Sequence, residues 1–366
     1  MKVTFAQVAD SLDATALYLI ILPTERCNFR CTYCYERFDV GQMPPRVVNA
    51  VLALLERRAP NLKRLEIGWF GGEPLLAKSV IYKISSHASR LAAQFSSLAY
   101  AANMTTNGYL LDRSTAETLV RLGVNSFQIS LDGFQELHDS TRRKADSTGT
   151  FDRIWSNLLD IRNSDLDLRV TIRVHFTPDS VLQLDSLTDA LNDEFGTDER
   201  FCIYFKDVGR LGGQNDDAIR LFSDRLIEES RSYLIGKLAN PAQTGLLEAN
   251  EAYICYASKP NSFVIRPNGQ LGKCTVALYD ERNNLGTINP DGSLSIDQEK
   301  LRTWMRGFIG PSERELSCPL SAMNREVKIP AHREDSFAFE VASGQRSLES
   351  TTCGQGCGSC SHSVGK

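Results

Sequence analysis

Short apolar segments alternate with longer amphipathic segments along the first part of the chain. Six apolar runs have the length of a buried strand, and each is followed by a loop or by a segment with apolar residues at helical spacing. The predicted strands lie at residues 16–22, 65–70, within 98–108, and at 126–133, 168–177 and 201–209. The predicted helices lie at residues 45–58, 80–95, 113–123, 150–163 and 181–196. This alternation predicts an α/β fold with a parallel sheet, open or partly closed into a barrel.

The pattern changes after about residue 240. Residues 261–276 predict a hairpin, because two apolar stretches flank the turn sequence Pro267-Asn268-Gly269, and residues 295–308 predict a short helix. Residues 309–366 are rich in Ser, Gly and Arg and show little periodicity, so their four cysteines suggest that a metal organises them. We therefore predict two domains, residues 1–235 and residues 236–366.

Composition and charge narrow the class of protein. The chain has 366 residues with 42% hydrophobic content, which is enough for a large buried core. The formal net charge of −4 does not indicate binding to nucleic acid or to an anionic membrane, and we expect no nucleic acid and no membrane as partners. The apolar run at residues 16–22 is too short to span a bilayer and lacks the features of a signal peptide. We therefore expect a cytoplasmic protein.

Ten cysteines are unevenly distributed and include a group of three, Cys27, Cys31 and Cys34. In a reducing cytosol such groups are more often metal ligands than disulfides. Structural zinc needs four N or S ligands, whereas three cysteines on a cubane iron–sulfur cluster leave one iron open for a substrate or cofactor. The spacing Cys-x3-Cys-x2-Cys therefore favours a cluster. Zinc with a distant fourth ligand, or three incidental thiols, are the alternatives.

Distinctive residues also stand at the ends of the predicted strands. The three cysteines follow the first strand. The segments Gly-Gly-Glu-Pro (71–74), Thr-Thr-Asn-Gly (105–108) and Ser-Leu-Asp-Gly (130–133) follow or end the next three. The C-terminal ends of parallel strands meet at one edge of a sheet. We therefore predict a site that is assembled at this edge from several loops.

The cysteine triplet with the aromatic Tyr33, followed by Gly71-Gly72-Glu73-Pro74, resembles the radical S-adenosylmethionine (SAM) superfamily over about the first 230 residues. The resemblance implies a partial (β/α)6 TIM-like barrel and a [4Fe–4S] cluster whose open iron is chelated by SAM. In this family one electron from the cluster cleaves SAM, and the resulting 5′-deoxyadenosyl radical takes a hydrogen atom from the substrate. The resemblance also implies flavodoxin or ferredoxin as the electron donor.

The resemblance assigns roles to individual residues. Cys27, Cys31 and Cys34 match the cluster ligands, and the backbone of Tyr33 is expected to contact adenine. Gly71 and Gly72 let the chain pass close to the methionine part of SAM, and Glu73 is a carboxylate partner of its ammonium group. Further SAM contacts are expected from Thr106, Asn107, Ser130, Asp132, Arg142 and Arg173. Arg142 lies in the segment His138-Asp139-x-x-Arg142, and Arg173 is a candidate for the SAM carboxylate. Ordinary turn roles, and an internal ion pair of Arg173, are the alternatives.

The C-terminal cysteines resemble a second family element. The pattern Cys255-x13-Gly269-x4-Cys274 resembles the opening of the SPASM/Twitch extension, which holds auxiliary [4Fe–4S] clusters, and Cys318-Pro319 matches its Cys-Pro element. The sequence departs from the full pattern, because Glu315 occupies a cysteine position and a long insertion precedes the last cysteines. The candidate auxiliary ligands are Cys255, Cys274, Cys318, Cys353, Cys357 and Cys360.

Six cysteines cannot supply the eight ligands of two complete clusters. They could hold one cluster with two cysteines to spare, or two clusters with open or non-cysteine positions, and we favour two. The alternative is a zinc site at Cys318, Cys353, Cys357 and Cys360.

Enzymes with this extension act mostly on peptides and proteins. We therefore predict a maturase that oxidises or cross-links residues of a ribosomally synthesised peptide. Only 26 residues precede Cys27, so the N-terminal winged-helix domain with which many peptide maturases bind the leader peptide does not fit there. A separate leader-recognition protein, a cleft at the C-terminal domain and a small substrate are the three explanations. The alternatives are an anaerobic sulfatase-maturating enzyme, a radical SAM dehydrogenase of a small molecule, and a non-enzymatic iron–sulfur carrier. The sulfatase alternative is disfavoured because Thr275 stands where that family has its catalytic aspartate. The sequence does not assign a general base.

Overall fold

The computed structural model describes residues 3–241, 244, 253–310 and 312–323. The predicted ligands Cys353, Cys357 and Cys360 lie outside the described residues. The chain divides into two compact units. The first takes Met1–Arg26, Phe38–Asn103 and the described residues of Glu248–Ser336, and the second takes Cys27–Arg37 and the described residues of Met104–Leu247. These units interleave along the chain and do not test the domain boundary at residue 235, which stays a prediction.

The first unit combines a layer of strands with helices. Its strands are β1 (Ala16–Ile21), β2 (Arg64–Trp69), the beginning of β3 (Ala99–Thr106), β7 (Ser262–Ile265), β8 (Gln270–Gly272), β9 (Gly286–Ile288) and β10 (Leu294–Ile296). Its helices are α1 (Phe5–Ser11), α2 (Pro45–Arg58), α3 (Lys78–Gln94), α9 (Gln298–Met305), α10 (Glu313–Ser317) and α11 (Pro319–Met323).

Parallel and antiparallel pairing meet at β1 and β7 in this unit. β1 pairs in parallel with β2 on one side and with β7 on the other, with Leu19 opposite both Ile67 and Phe263. β7, β8, β9 and β10 then pair antiparallel in that order. α2 begins at Pro45, where the missing N–H costs nothing, and buries an apolar stripe that includes Val51.

The second unit contains the end of β3 and three parallel strands. The strands are β4 (Val124–Leu131), β5 (Arg169–Phe176) and β6 (Phe201–Asp207). The helices are α4 (Arg113–Arg121), α5 (Gln135–Thr141), α6 (Phe151–Arg162), α7 (Asp185–Phe195) and α8 (Asp224–Ile235). β5 lies between β4 and β6, and its Arg173 is opposite Ser130 on one side and Tyr204 on the other.

The two faces of the β4–β5–β6 sheet differ in chemistry. One face carries fully buried apolar side chains, such as Ile129, Ile172 and Ile203, which lie opposite one another. The other face carries polar side chains. Its successive rows are Gln128 with Thr171, Ser130 with Arg173 and Tyr204, and His175 with Lys206. Strands of buried parallel sheets are usually apolar on both faces. A polar face in this position therefore identifies where chemistry can take place.

The predicted α/β class with parallel strands is confirmed, and all six predicted strands occur within a few residues of their expected bounds. The five predicted helices, the hairpin β7–β8 and the helix α9 are also present. The predicted helix at 181–196 is divided into a 3-10 turn, Val181–Gln183, and α7. The structure adds α1, α5, α8, α10, α11, β9 and β10, which are mostly short or polar and lack a clear apolar period. Among the described residues, no helix is long and apolar enough to cross a membrane.

Candidate active site

The three-cysteine loop, residues 27–37, belongs to the second unit. Cys27, Cys31 and Cys34 are partly exposed and form no disulfide. The backbone N–H of Cys34 donates to the carbonyl of Cys31 at 3.2 Å, which turns the chain between these two thiols. On the outer side, Arg30 N–H donates to Arg143 O at 2.8 Å and Thr32 N–H donates to Thr141 O at 2.9 Å. The loop is therefore held by backbone bonds to the last residue of α5 and to the segment that follows it.

The donor set of this loop fits an iron–sulfur cluster. Three reduced thiols on one short loop match three corners of a cubane. Burial raises the pKa of Cys34 to about 12 and also raises the pKa of Cys31, so both are protonated thiols at neutral pH and would lose their protons on binding iron. Within the part of the chain that the structure describes, no three His, Cys, Asp or Glu side chains are grouped around a position for a single metal ion.

A cluster of hydrogen-bonded ionisable side chains lies next to this loop in the second unit. The Tyr33 hydroxyl donates to Asp132 Oδ1 at 2.9 Å and accepts from Arg142 Nη1 at 2.8 Å. His175 Nδ1 lies 3.0 Å from Asp132 Oδ1 and 3.1 Å from the Tyr33 oxygen. Thr141 Oγ1 donates to Asp132 Oδ2 at 2.7 Å. The structure thus brings together three of the predicted SAM contacts, Tyr33, Asp132 and Arg142.

Sequence reasoning missed His175. It is the second residue after Arg173 on β5, and a strand places residues two apart on the same face. The signal was therefore present in the alternation of "RVTIRVHF", where Arg173 and His175 share the polar face. The prediction considered Arg173 alone.

Burial and charge set the protonation states in this cluster. Burial opposes ionisation of Asp132, but the hydrogen bond from His175 and the charge of Arg142 hold its pKa below the usual range. Burial lowers the pKa of His175 to about 4 and that of His138 to about 4. At neutral pH the cluster therefore contains an ionised Asp132, a cationic Arg142 and two neutral histidines.

The segment His138-Asp139-x-x-Arg142 also has a structural role. His138 Nε2 lies 3.1 Å from Thr150 Oγ1, which donates to the Arg142 carbonyl at 2.6 Å. Asp139 Oδ1 accepts from the backbone N–H groups of Thr150 at 2.7 Å and Phe151 at 3.0 Å, where α6 begins. His138 and Asp139 therefore fix the backbone at both ends of the 142–150 connection and hold Arg142 in place.

The other predicted contacts of the second unit have different surroundings. Thr106 Oγ1 accepts from Gly108 N–H at 3.1 Å, which is a turn contact. Asn107 Nδ2 donates to Asn28 Oδ1 at 2.8 Å and lies 3.9 Å from Cys27 Sγ, so Asn107 reaches the cysteine loop. Ser130 is buried on the polar face of β4. The buried Nε of Arg173 has no hydrogen-bond partner among the described residues, and the suggested internal ion pair is not seen there.

The Gly-Gly-Glu-Pro segment belongs to the first unit. A Cβ on Gly71 would collide with the carbonyl of Thr24, and Gly71 has φ of 112°. A Cβ on Gly72 would come within 2.6 Å of the carbonyl of Arg26. Both positions therefore require glycine. Glu73 is fully buried, its N–H donates to Arg26 O at 2.9 Å, and its Oε1 accepts from Leu75 N–H at 2.9 Å.

Three of the predicted auxiliary ligands lie on neighbouring segments of the first unit. Cys255 and Cys274 are buried, Cys318 is partly exposed, and all three are free of disulfides. Cys255 N–H donates to Leu316 O at 2.8 Å, which places the segment before Cys318 beside Cys255. The hydroxyl of Tyr256 accepts from Thr275 N–H at 3.0 Å, which joins the Cys255 and Cys274 segments.

A buried cation accompanies these cysteines. Lys273 is fully buried, and its Nζ donates to the carbonyl of Ser262 at 2.6 Å and to the carbonyl of Lys259. Burial lowers the pKa of Lys273 to about 7. Sequence reasoning did not select this residue, since a lysine inside a hairpin strand is ordinarily a surface residue.

Comparisons with known proteins identify the family. Residues 21–182 match the family model of the radical SAM superfamily. A GTP 3′,8-cyclase from Campylobacter jejuni subsp. doylei is 31% identical over 313 residues, which cover 81% of this chain and 91% of the relative. A GTP 3′,8-cyclase from Sulfurimonas denitrificans is 26% identical over 314 residues, which cover 80% of this chain and 90% of the relative. The chain belongs to the radical SAM superfamily. Membership implies a [4Fe–4S] cluster and SAM as cofactors of an enzyme.

Solved structures share the fold at low sequence identity. The structure of anSMEcpe with bound AdoMet and the Cp18Cys peptide aligns with a TM-score of 0.58 at 19% identity, over 78% of this chain and 80% of that chain. Streptococcus suis SuiB bound to S-adenosylmethionine aligns with a TM-score of 0.53 at 18% identity, over 83% of this chain and 70% of that chain. These likenesses support the α/β fold and carry no statement about substrate.

The predicted peptide-maturase function is wrong. Relatives of 26% and 31% identity over about four fifths of the chain are GTP 3′,8-cyclases, which their name describes as enzymes of a small molecule. The prediction rested on the spacing of Cys255 and Cys274. Cysteine spacing indicates which metal group a segment can hold, but it does not specify the substrate that the same enzyme admits.

Proposed function

We propose that this protein is a radical SAM enzyme that acts on a small molecule of the purine nucleotide class. The observation that carries the proposal is the 31% identity over 313 residues to the Campylobacter GTP 3′,8-cyclase, of whose length the chain covers 91%. A match over 81% of the chain is longer than the match of residues 21–182 to the family model, so it concerns more than the family's shared core. GTP is therefore the first substrate to test.

The residues of the second unit would hold the family's cofactors in this proposal. The proposed cluster ligands are Cys27, Cys31 and Cys34. The hydrogen-bonded side chains of Tyr33, Asp132 and Arg142 lie next to their loop. When bound, the cluster supplies the electron that cleaves SAM to the 5′-deoxyadenosyl radical. The protein orients the SAM carboxylate and amino groups, and Arg173 offers an unpartnered buried donor for an anionic group. Asn107, Ser130 and Thr106 stay proposed SAM contacts.

Gly71, Gly72 and Glu73, which belong to the first unit, stay proposed SAM contacts. The two glycines are required by close backbone contact, which supports their role in a tight passage of the chain. Glu73 stays the proposed partner of the SAM ammonium, which would place a cation beside a fully buried carboxylate that also accepts from the N–H of Leu75.

A second cluster is proposed at Cys255, Cys274 and Cys318. Their segments are joined by the contacts of Tyr256 with Thr275 and of Cys255 with Leu316, which supports a common ligand set. Cys353, Cys357 and Cys360 remain proposed ligands outside the described residues. Flavodoxin or ferredoxin is proposed as the electron donor, because SAM cleavage needs one electron from outside.

The experiment is a turnover assay on anaerobically reconstituted protein. Protein, SAM, dithionite and GTP are incubated, and 5′-deoxyadenosine and nucleotide products are quantified by liquid chromatography with mass spectrometry. We expect 5′-deoxyadenosine and a GTP-derived product in equal amounts, with ATP as the control nucleotide. The proposed substrate is rejected if GTP is recovered unchanged while SAM is cleaved at the same rate with and without it.

A further inference from the structure

The imidazole of His175 is held at one nitrogen and open at the other. Its Nδ1 is 3.0 Å from Asp132 Oδ1, and its ring packs edge to face on Tyr33 with centroids 5.2 Å apart. Its Nε2 makes no hydrogen bond to the described residues. The side chain is 11% exposed, so a small group can reach it, and it lies on the polar face of β5.

The hydrogen-bond donors and acceptors around Asp132 determine the tautomer of His175. Arg142 donates to the Tyr33 oxygen, and Tyr33 has one hydrogen of its own, which it donates to Asp132 Oδ1. Asp132 is ionised and accepts only, and its other oxygen is occupied by Thr141. At 3.0 Å from a carboxylate oxygen, Nδ1 of His175 must therefore carry a hydrogen and donate it. The lone pair of the neutral ring is then on Nε2.

We propose that Nε2 of His175 is the proton acceptor of the substrate reaction and takes a proton from an O–H or N–H group of the bound small molecule. This inference rests on the proposed function. In the step the substrate's X–H bond breaks, the proton moves to Nε2, and the electron pair of that bond stays on the substrate. His175 becomes an imidazolium paired with Asp132, and no electron passes to or from the protein.

The surrounding charges act on His175 in opposite directions. Asp132 on β4 is positioned to stabilise the imidazolium, as an orienting carboxylate does in other acid–base pairs. Burial is the main cause that keeps the resting ring neutral, and the charges of Arg173 on β5 and of Arg142 after α5 lower the pKa of His175 further. Lys206 is opposite His175 on β6. His138 and Tyr33 are the remaining titratable neighbours. Burial lowers the pKa of His175 to about 4, so its base form is fully populated at neutral pH.

The kinetic test compares His175→Gln and His175→Ala with wild type. Product and 5′-deoxyadenosine are measured together with GTP as substrate. We expect the ratio of product to 5′-deoxyadenosine to fall about 100-fold or more, the size typical for loss of a general base. Added imidazole is expected to restore part of the product in His175→Ala, which a structural role would not permit. The matched control is His87→Gln, since His87 lies on α3 of the first unit, and its ratio should equal that of wild type.

A second measurement does not depend on GTP. Nitrogen-15 NMR of histidine-labelled, oxidised holoprotein at neutral pH should show the signal of one neutral ring with its hydrogen on Nδ1. This signal should be absent from the spectrum of His175→Gln. Asp132→Asn should shift this ring toward the Nε2–H tautomer. An Nε2–H tautomer in wild type, or an unchanged product ratio in a folded His175→Gln variant, would overturn the inference. If wild type makes no product from GTP, the proposed substrate is rejected. The NMR measurement then still tests whether His175 carries its hydrogen on Nδ1, as the inference requires.

Discussion

The two groups of cysteines in this protein are built in different ways. Cys27, Cys31 and Cys34 stand on one loop, partly exposed, beside the charged cluster of Tyr33, Asp132, Arg142 and His175. Cys255, Cys274 and Cys318 stand on three segments that are joined by backbone bonds and by the Tyr256 hydroxyl. The first group lies beside hydrogen-bonded ionisable side chains, whereas the second is joined by backbone bonds and one hydroxyl contact. We therefore expect the substrate chemistry at the first group and a supporting role for the second.

The largest effect is expected from removing the first group. Replacing Cys27, Cys31 and Cys34 together by Ala removes three of the proposed ligands, so formation of 5′-deoxyadenosine should fall to background. Iron should fall by about four atoms per chain. Both are measured on anaerobically reconstituted protein, with circular dichroism as the control for folding. Continued SAM cleavage by a folded triple variant would show that the site is elsewhere.

A smaller and different effect is expected from the second group. Cys274→Ala removes a buried ligand candidate far along the chain from the triplet. Product from GTP should fall at least about tenfold, while 5′-deoxyadenosine formation without substrate should fall less than product. Iron content is measured in parallel, with Cys274→Ser as a variant that better preserves side-chain volume. An unchanged iron content and product yield in both variants would remove the proposed second cluster.

The charged cluster beside the first group should also contribute to the free energy of unfolding. Arg142→Met leaves the buried Asp132 without its cationic neighbour, so the free energy of unfolding should drop by about 3 kcal/mol. The matched control is Arg143→Met, because Arg143 is more exposed and its side chain donates one hydrogen bond to Ser140 O. That variant should change stability by less than about 0.5 kcal/mol. Urea unfolding of the holoprotein measures both, and equal effects would contradict a charge-dependent centre.

A further effect concerns pH. The pKa of His138 and of His175 is lowered to about 4 in the folded protein from 6.5, so the unfolded chain binds more protons between these values. Stability should therefore be full above about pH 6.5 and decline as the pH falls toward 4, by up to a few kcal/mol. Asp132 does not affect stability in this pH window, because its pKa is lowered from the ordinary value of 3.8 and its contribution is lost only at lower pH. Urea unfolding between pH 7.5 and 5 tests this, and His138→Asn should flatten the decline. A pH-independent stability in wild type would contradict the neutral buried histidines.

The sequence predicted the parts of the fold that depend on local pattern. The six strands and five helices of the first 210 residues have strong apolar periods, and the hairpin has a Pro-Asn-Gly turn, so all were found near their expected positions. Helices α5 and α8 were missed because their exposed or charged residues interrupt the apolar period. β9 and β10 were missed because three-residue strands depend on their partners for definition.

The sequence predicted those residues of the candidate site that lie in the loops at the C-terminal ends of the strands. Tyr33, Asp132 and Arg142 were selected separately, and the structure joins them through one hydroxyl. His175 was not selected, although its alternation with Arg173 places it on the polar face of β5. Lys273, which directly follows β8, was not selected because no spacing marks a single lysine. Their importance comes from burial and hydrogen bonding, which are tertiary properties. The substrate class was mispredicted because the cysteine pattern reports on metal ligands alone.

Deuterium transfer tests the central claim most directly. Wild-type protein is incubated anaerobically with SAM, dithionite and GTP that carries deuterium on its ribose carbons, and the mass of 5′-deoxyadenosine is measured. The proposed function predicts 5′-deoxyadenosine that is one mass unit heavier, in step with loss of GTP. Unlabelled 5′-deoxyadenosine together with intact GTP would contradict a nucleotide substrate.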